Sequence, residues 1–147
     1  MAVIEPDDLL GRLDALAALV PLLEAPGGDF GNWDPPWQAP DGTMRLPQFV
    51  MGPLHDAFMD AVARGRWIVV FDWPTWARTA EAQALWKDPA ALAEATTEQL
   101  ERFLTALIRS ERFSEGTLDE AYESGLLLRI ARRAAALAEE LRGESDR

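Results

Sequence analysis

Two arginines three residues apart are the chain's most unusual charge arrangement. They lie in the stretch LTALIRSERFSEG, residues 104–116, where Arg109 and Arg112 follow an apolar helical pattern and precede Phe113 and Gly116. The formal net charge of the chain is -11, so permanent positive charge at this point calls for an explanation. Residues i and i+3 share one side of a helix. A guanidinium stays protonated and offers a planar fork that matches carboxylate or phosphate. The pair therefore either ties the helix end to acidic neighbours or holds an anion from outside. The tie is the expected answer: at least one of the two is buried and bidentately paired with a carboxylate, Asp72 first, then Glu123 or Asp119. An arginine cannot shed its proton, so burial demands an acid. Asp72 closes an apolar run and should need a partner equally.

Asp72 opens the second cluster, FDWPTW. A carboxylate at the end of an apolar segment between aromatic rings can act as a ligand contact or a general base. It can equally cap a helix. Trp73 and Trp76, at i and i+3, can stack a planar ligand or fill the core. Trp33 and Trp37 lie in a segment rich in glycine and proline, residues 25–48. A loop that long is more often functional than a plain connector. It is expected to be ordered, with its aromatics buried on the helices. Phe113 is expected in the core with Leu104 and Leu107. Gly116 and Gly125 are assigned structural roles.

Other chemistries are poorly supplied. There is no cysteine, which removes disulfides, thiolate metal sites and cysteine nucleophiles. The one histidine, His55, is too few for an ordinary zinc site and is expected at a surface or boundary. Acidic pairs such as Glu98 and Glu101 read as solvated helix faces, not divalent-ion sites. No metal and no cofactor are expected. Net negative charge opposes nucleic acid and anionic membranes, whose binders supply basic surface. With neither a signal-like N-terminus nor a long apolar run, the chain is expected to be cytoplasmic.

The elements that must position these residues are mostly helices. Leu9, Leu13, Leu16, Val20 and Leu23 recur at helical spacing, Asp7 or Asp8 can cap that helix, and Pro21 should end or kink it. A helix is predicted over 53–63, with Pro53 at its first position. Residues 67–71, WIVVF, are a short β-branched and aromatic run that predicts a buried strand. Short strands are also predicted around Trp33 and within 44–50. Thr75 is expected to cap a helix running to about Trp86, and Asp88 with Pro89 to start another. Thr96 with Gln99, and Thr117 with Glu120, form capping-box patterns. Leu100, Phe103, Leu104, Leu107 and Ile108 then make a core-facing helix, and a last helix over 126–142 should stop at Gly143. The small basic cluster Arg129, Arg132 and Arg133 lies on it. The expectation is one mainly α domain, α+β at the margin, over residues 1–142. It has about six helices, a small β element near 67–71, the ordered loop, and a frayed tail at 143–147.

FDWPTW, followed by LTALIRSERFSEGTLDEAYESGLLLRIARR, resembles an uncharacterised bacterial family, domain of unknown function 6508. The likeness runs from the first leucine-rich helix to Arg133 and is most specific in its last third. Members often carry a cysteine after the phenylalanine. Ser114 stands there in this chain, so no cysteine chemistry carries over. The resemblance implies a shared fold and no particular activity. On the residues, the expected function is a non-enzymatic binding module. It would contact a partner protein or a small anionic ligand through the tryptophan loop and the Arg109/Arg112 helix end. The alternative is a small enzyme acting on a phosphorylated or nucleotide-like substrate, with Asp72 as base and the arginines as anion clamp.

Overall fold

A computed structural model describes residues 6–35 and 37–145. The architecture is mainly α, as the apolar periodicity predicts, with a small β element. Helices α1 (Pro6–Ala17) and α2 (Val20–Glu24) come first, separated just ahead of Pro21, which cannot donate a backbone N–H. Asp7 and Asp8 fall inside the first turn of α1, and the position before Pro6, where a cap would sit, lies outside the described residues.

The glycine- and proline-rich segment is a hairpin. Strand β1 (Gly31–Asp34) pairs antiparallel with β4 (Gln48–Met51), and β2 (Trp37–Gln38) pairs with β3 (Met44–Arg45). Gly31 opposes Met51 and Gln38 opposes Met44, so both ladders share one register and form a single ribbon. The interruption falls at Pro35 and Pro47, which lack the N–H a ladder requires. Phe30 anchors the base: it is buried, stacked on Tyr122 at 4.8 Å and edge-on to His55 at 5.1 Å. The expectation that Trp33 and Trp37 would plug the loop onto the core is not met. They are 44% and 54% exposed, and Phe30 does that work.

Helix α3 (Pro53–Arg64) begins at its proline, as predicted. Residues 67–71 correct the sequence reading, for no strand forms there. Among the described residues no strand pairs with it. Val69 N–H donates instead to Thr105 Oγ1 (3.0 Å) on a neighbouring helix. Trp67 is fully buried while Val70 is fully exposed. A strand exists only where its donors and acceptors meet another strand, and the hairpin strands satisfy each other.

Beyond it come α4 (Trp73–Ala77), α5 (Ala80–Lys87), α6 (Pro89–Ala93), α7 (Thr97–Glu111), α8 (Thr117–Glu123) and α9 (Leu126–Ser145). Three of the helices, α2, α4 and α6, are only five residues long. The predicted helix from Thr75 to Trp86 is thus two helices. Asp72 caps the first, accepting from Thr75 N–H (3.3 Å), and Thr79 caps the second. Asp88 caps α6, and the Thr96–Gln99 capping box is present. The Thr117–Glu120 box is not: Gly116, at φ +102°, is the N-cap, and Glu111 takes the orphan N–H groups. Gly125, at φ +82°, closes α8 in the left-handed region that glycine tolerates. Gly143 does not stop α9, which continues to Ser145; the last two residues of the expected tail lie outside the described residues. α9 lies along α1 and touches α2, α6, α7 and α8, so it is the central post of the bundle. No described helix is long and apolar enough to cross a membrane.

Candidate functional site at the end of α7

Helix α7 turns its Leu100, Phe103, Leu104 and Leu107 into the core. Phe113 lies six residues past Leu107, about 120° off that stripe at 100° per residue. It is also past the end of the helix, in the turn that Phe113 N–H and Ser114 N–H close on Ser110 O (2.9 Å each). The side chain is 82% exposed. The expected burial of Phe113 is therefore overturned. Its nearest aromatic neighbour is Trp73, with ring centroids 6.2 Å apart.

The predicted ion pair is overturned as well. Arg109 is half-buried and Arg112 exposed, and among the described residues neither guanidinium makes a hydrogen bond or an ion pair. The reason is how the nearby acids are spent. Asp72 is exposed and accepts from Thr75 N–H. Glu111 folds back to accept from Gly116 N–H and Leu118 N–H, each at 2.9 Å. Glu115 accepts from Phe49 N–H at 2.8 Å, which moors the hairpin to the α7–α8 turn. Each carboxylate serves a backbone donor that would otherwise lack a partner, a role worth about 1 kcal/mol at a helix start. Among the described residues none is left to engage the arginines' forks.

Two hollows meet at these arginines. One, of about 550 Å³, is walled by Trp73, Pro74 and Phe113. The other, of about 450 Å³, is walled by Met51, His55, Met59, Ile108 and Leu118, with Glu111, whose carboxylate is engaged by Gly116 N–H and Leu118 N–H, at its edge. The result is a cationic centre with apolar ground on either side. His55 corrects its expected surface placement: it is 7% exposed, and its Nδ1, 3.6 Å from Asp56 Oδ1, has no hydrogen-bond partner among the described residues. The hairpin adds a border. Trp33 meets Phe49 edge to face at 5.6 Å and leans over Gly116, where a Cβ would come within 2.7 Å of the indole.

The structure thus gathers Arg109, Arg112 and Trp73, with Trp33 one turn away. It separates the other candidates from them. Asp72 is a cap and lines neither hollow. Trp37 sits in the outer ladder opposite Arg45. Trp76 is buried and lines a different cavity. Its indole N–H donates to Glu81 (2.7 Å), which also accepts from Gln99 Nε2 (3.0 Å). These two bonds, Gln99's first, hold the Glu81 carboxyl below its ordinary pKa. His55, Met51 and Met59 belong to the site and escaped the sequence reading. The apolar spacing of α3 marked its buried face, but not that one end of it borders the arginines.

The buried arginine is another one. Arg12, 8% exposed, donates from Nε to Gly65 O (2.5 Å) and from Nη2 to Glu101 (2.6 Å), and its guanidinium lies 4.5 Å from the Trp67 ring centre. It joins α1, α7 and the segment after α3. The basic cluster on α9 lines one small hollow of about 200 Å³ with Pro89, Ala93 and Ala136, and each arginine is tied to the fold: Arg132 pairs with Glu24 (2.8 Å), Arg133 donates to Ala95 O (2.7 Å), and Arg129 reaches Ser124 O (3.3 Å). That hollow is not shared with Arg109 or Arg112.

Fold and surface together define a mainly helical domain bearing a small β ribbon and an open cationic and aromatic face. Residues 10–140 match the Family of unknown function (DUF6508), and the chain belongs to that family. The match spans every element that forms the arginine face. No curated protein and no solved structure matches the chain.

Proposed function

We propose that this protein is a non-catalytic binding module that docks an extended segment of a partner protein across the Arg109–Arg112 face. The segment carries an acidic side chain between apolar ones. The observation behind this reading is the pair of guanidiniums without partners among the described residues, set between two largely apolar hollows. Arginine and aromatic side chains are the usual anchors of protein interfaces. A free fork in a chain of net charge -11 selects locally for a carboxylate that the rest of the surface repels. The exposure of Phe113 and Arg112 favours a partner laid across the surface over a small ligand enclosed by it. A cytoplasmic setting suits a domain that uses no disulfide.

The test is a selection from a defined library of eight-residue peptides, read by calorimetric titration of the winners. Enrichment of one Asp or Glu flanked by apolar residues is expected. Arg109→Gln and Arg112→Gln should each weaken the best peptide by about tenfold, the worth of a hydrogen bond to a charged group. Peptides binding equally well with Gln in place of the acid would overturn the reading. A free N-acetylglutamate that bound as tightly as the peptide would move the site to small-anion binding.

A further inference from the structure

A second cavity lies on the other side of α7, between α4, α5 and α7. Its volume is about 290 Å³, at the small end of ligand-binding pockets. Protein interiors normally fill such spaces. This one persists because Ala77, Ala82 and Ala106 line it, each side chain ending at Cβ. Facing the alanines are three rings, Trp76, Trp86 and Phe103. Trp86 stands edge to face with Phe103 at 6.0 Å and is 37% exposed, as a residue at a mouth should be.

The walls are held in place. Trp76 is fixed by its bond to Glu81, which Gln99 holds in turn. Gln83 donates its amide to Ala77 O (3.0 Å), so its side-chain oxygen remains as an acceptor. Lys87 lines the cavity from the last turn of α5, and among the described residues its ammonium has no carboxylate partner. Ser110 adds a hydroxyl. Three aromatic rings, a cation and a neutral donor define a ligand with a flat apolar body and one negative end.

We infer that this cavity binds a small single-ring aromatic carboxylate, its ring among Trp76, Trp86 and Phe103 and its carboxylate toward Lys87. The volume admits one ring with a short acid arm and is too small for a nucleotide. The site is separate from the arginine face, with Phe103, Ala106, Leu107 and Ser110 on one side of α7 and Ile108, Arg109 and Arg112 on the other.

The experiment uses the full chain labelled with 5-fluorotryptophan and follows the fluorine resonances as 3-phenylpropanoate is added. Trp76 and Trp86 resonances, assigned by Trp→Phe variants, should shift while those of Trp33 and Trp37 stay still. The neutral 3-phenylpropanamide should bind about fivefold more weakly, the upper range for one accessible ion pair. Lys87→Gln should erase that preference; Lys87 is exposed, so the variant should fold normally. Ala106→Leu should fill the void and abolish binding. Failure of the acid to shift either resonance at millimolar concentration would overturn the inference, as would equal binding of acid and amide to the unmodified chain. Neither result touches Arg109 or Arg112, so the partner-docking reading stands or falls separately.

Discussion

Replacing Glu101 tests the buried charge that organises the bundle. The Arg12 side chain is 9% exposed and that of Glu101 19%. Glu101→Leu would strand a guanidinium that cannot neutralise itself and whose Nη1 has no partner among the described residues. Breaking one side of a buried pair costs about 3–5 kcal/mol. Glu101 keeps some contact with water, so about 3 kcal/mol is the appropriate end of that range. In a domain of this size each kcal/mol moves the melting midpoint by about 2–4 °C, so a fall of about 6–12 °C is expected. Arg12→Met keeps a long stem over Trp67 but removes the donors to Gly65 O and Glu101. It should cost a similar amount. The double variant should cost well under the sum, because neither charge is then stranded; what remains is the unpaired Gly65 carbonyl, about 1–3 kcal/mol. Urea unfolding of the four proteins, followed by circular dichroism, measures the cycle. Losses additive to within about 0.5 kcal/mol would refute the coupling and with it the role given to Arg12.

Gly116→Ala should destabilise by about 1–2 kcal/mol from the left-handed backbone alone, and should also displace Trp33; an unchanged urea midpoint would contradict the geometry of that turn. Phe113→Ser should leave stability within about 0.5 kcal/mol while weakening any selected peptide. A drop of several kcal/mol would mean the ring is packed after all. Glu81 bears on acid stability. Its folded pKa is lowered from 4.5, so the stabilisation it gives is complete above that value and is lost as pH falls through the folded pKa. Glu81→Gln should therefore lose less stability than the unmodified chain below about pH 4.5, and coincident acid limbs would show that the two hydrogen bonds do not favour the carboxylate.

The helices were legible because their causes are local. Leu100, Phe103, Leu104 and Leu107 announce a buried face by spacing alone, and Thr96 with Gln99 announces where that helix begins. Pro53, Pro89 and Asp88 mark starts by chemistry that needs no distant partner. Even the hairpin could be suspected, since prolines and glycines excluded a helix over 25–48. The strand at 67–71 failed because strandedness is not a property of one segment: WIVVF had the right residues, and Thr105 met its backbone where a strand was needed. Phe113 failed because six residues past Leu107 is off the core stripe even in an unbroken helix, and the turn closed on Ser110 O carries it past the helix end. The arginines failed for the broadest reason. Asp72, Glu111 and Glu115 all lie near enough in the chain or the fold to be partners, and sequence cannot rank them. Folding brings Glu115 to Phe49 N–H and Glu101 to Arg12, pairs separated by 66 and 89 residues. Residue types determined that the chain had charges to pair; only the tertiary structure, by bringing some acids first to orphan backbone donors, decided which cations were left open to a ligand.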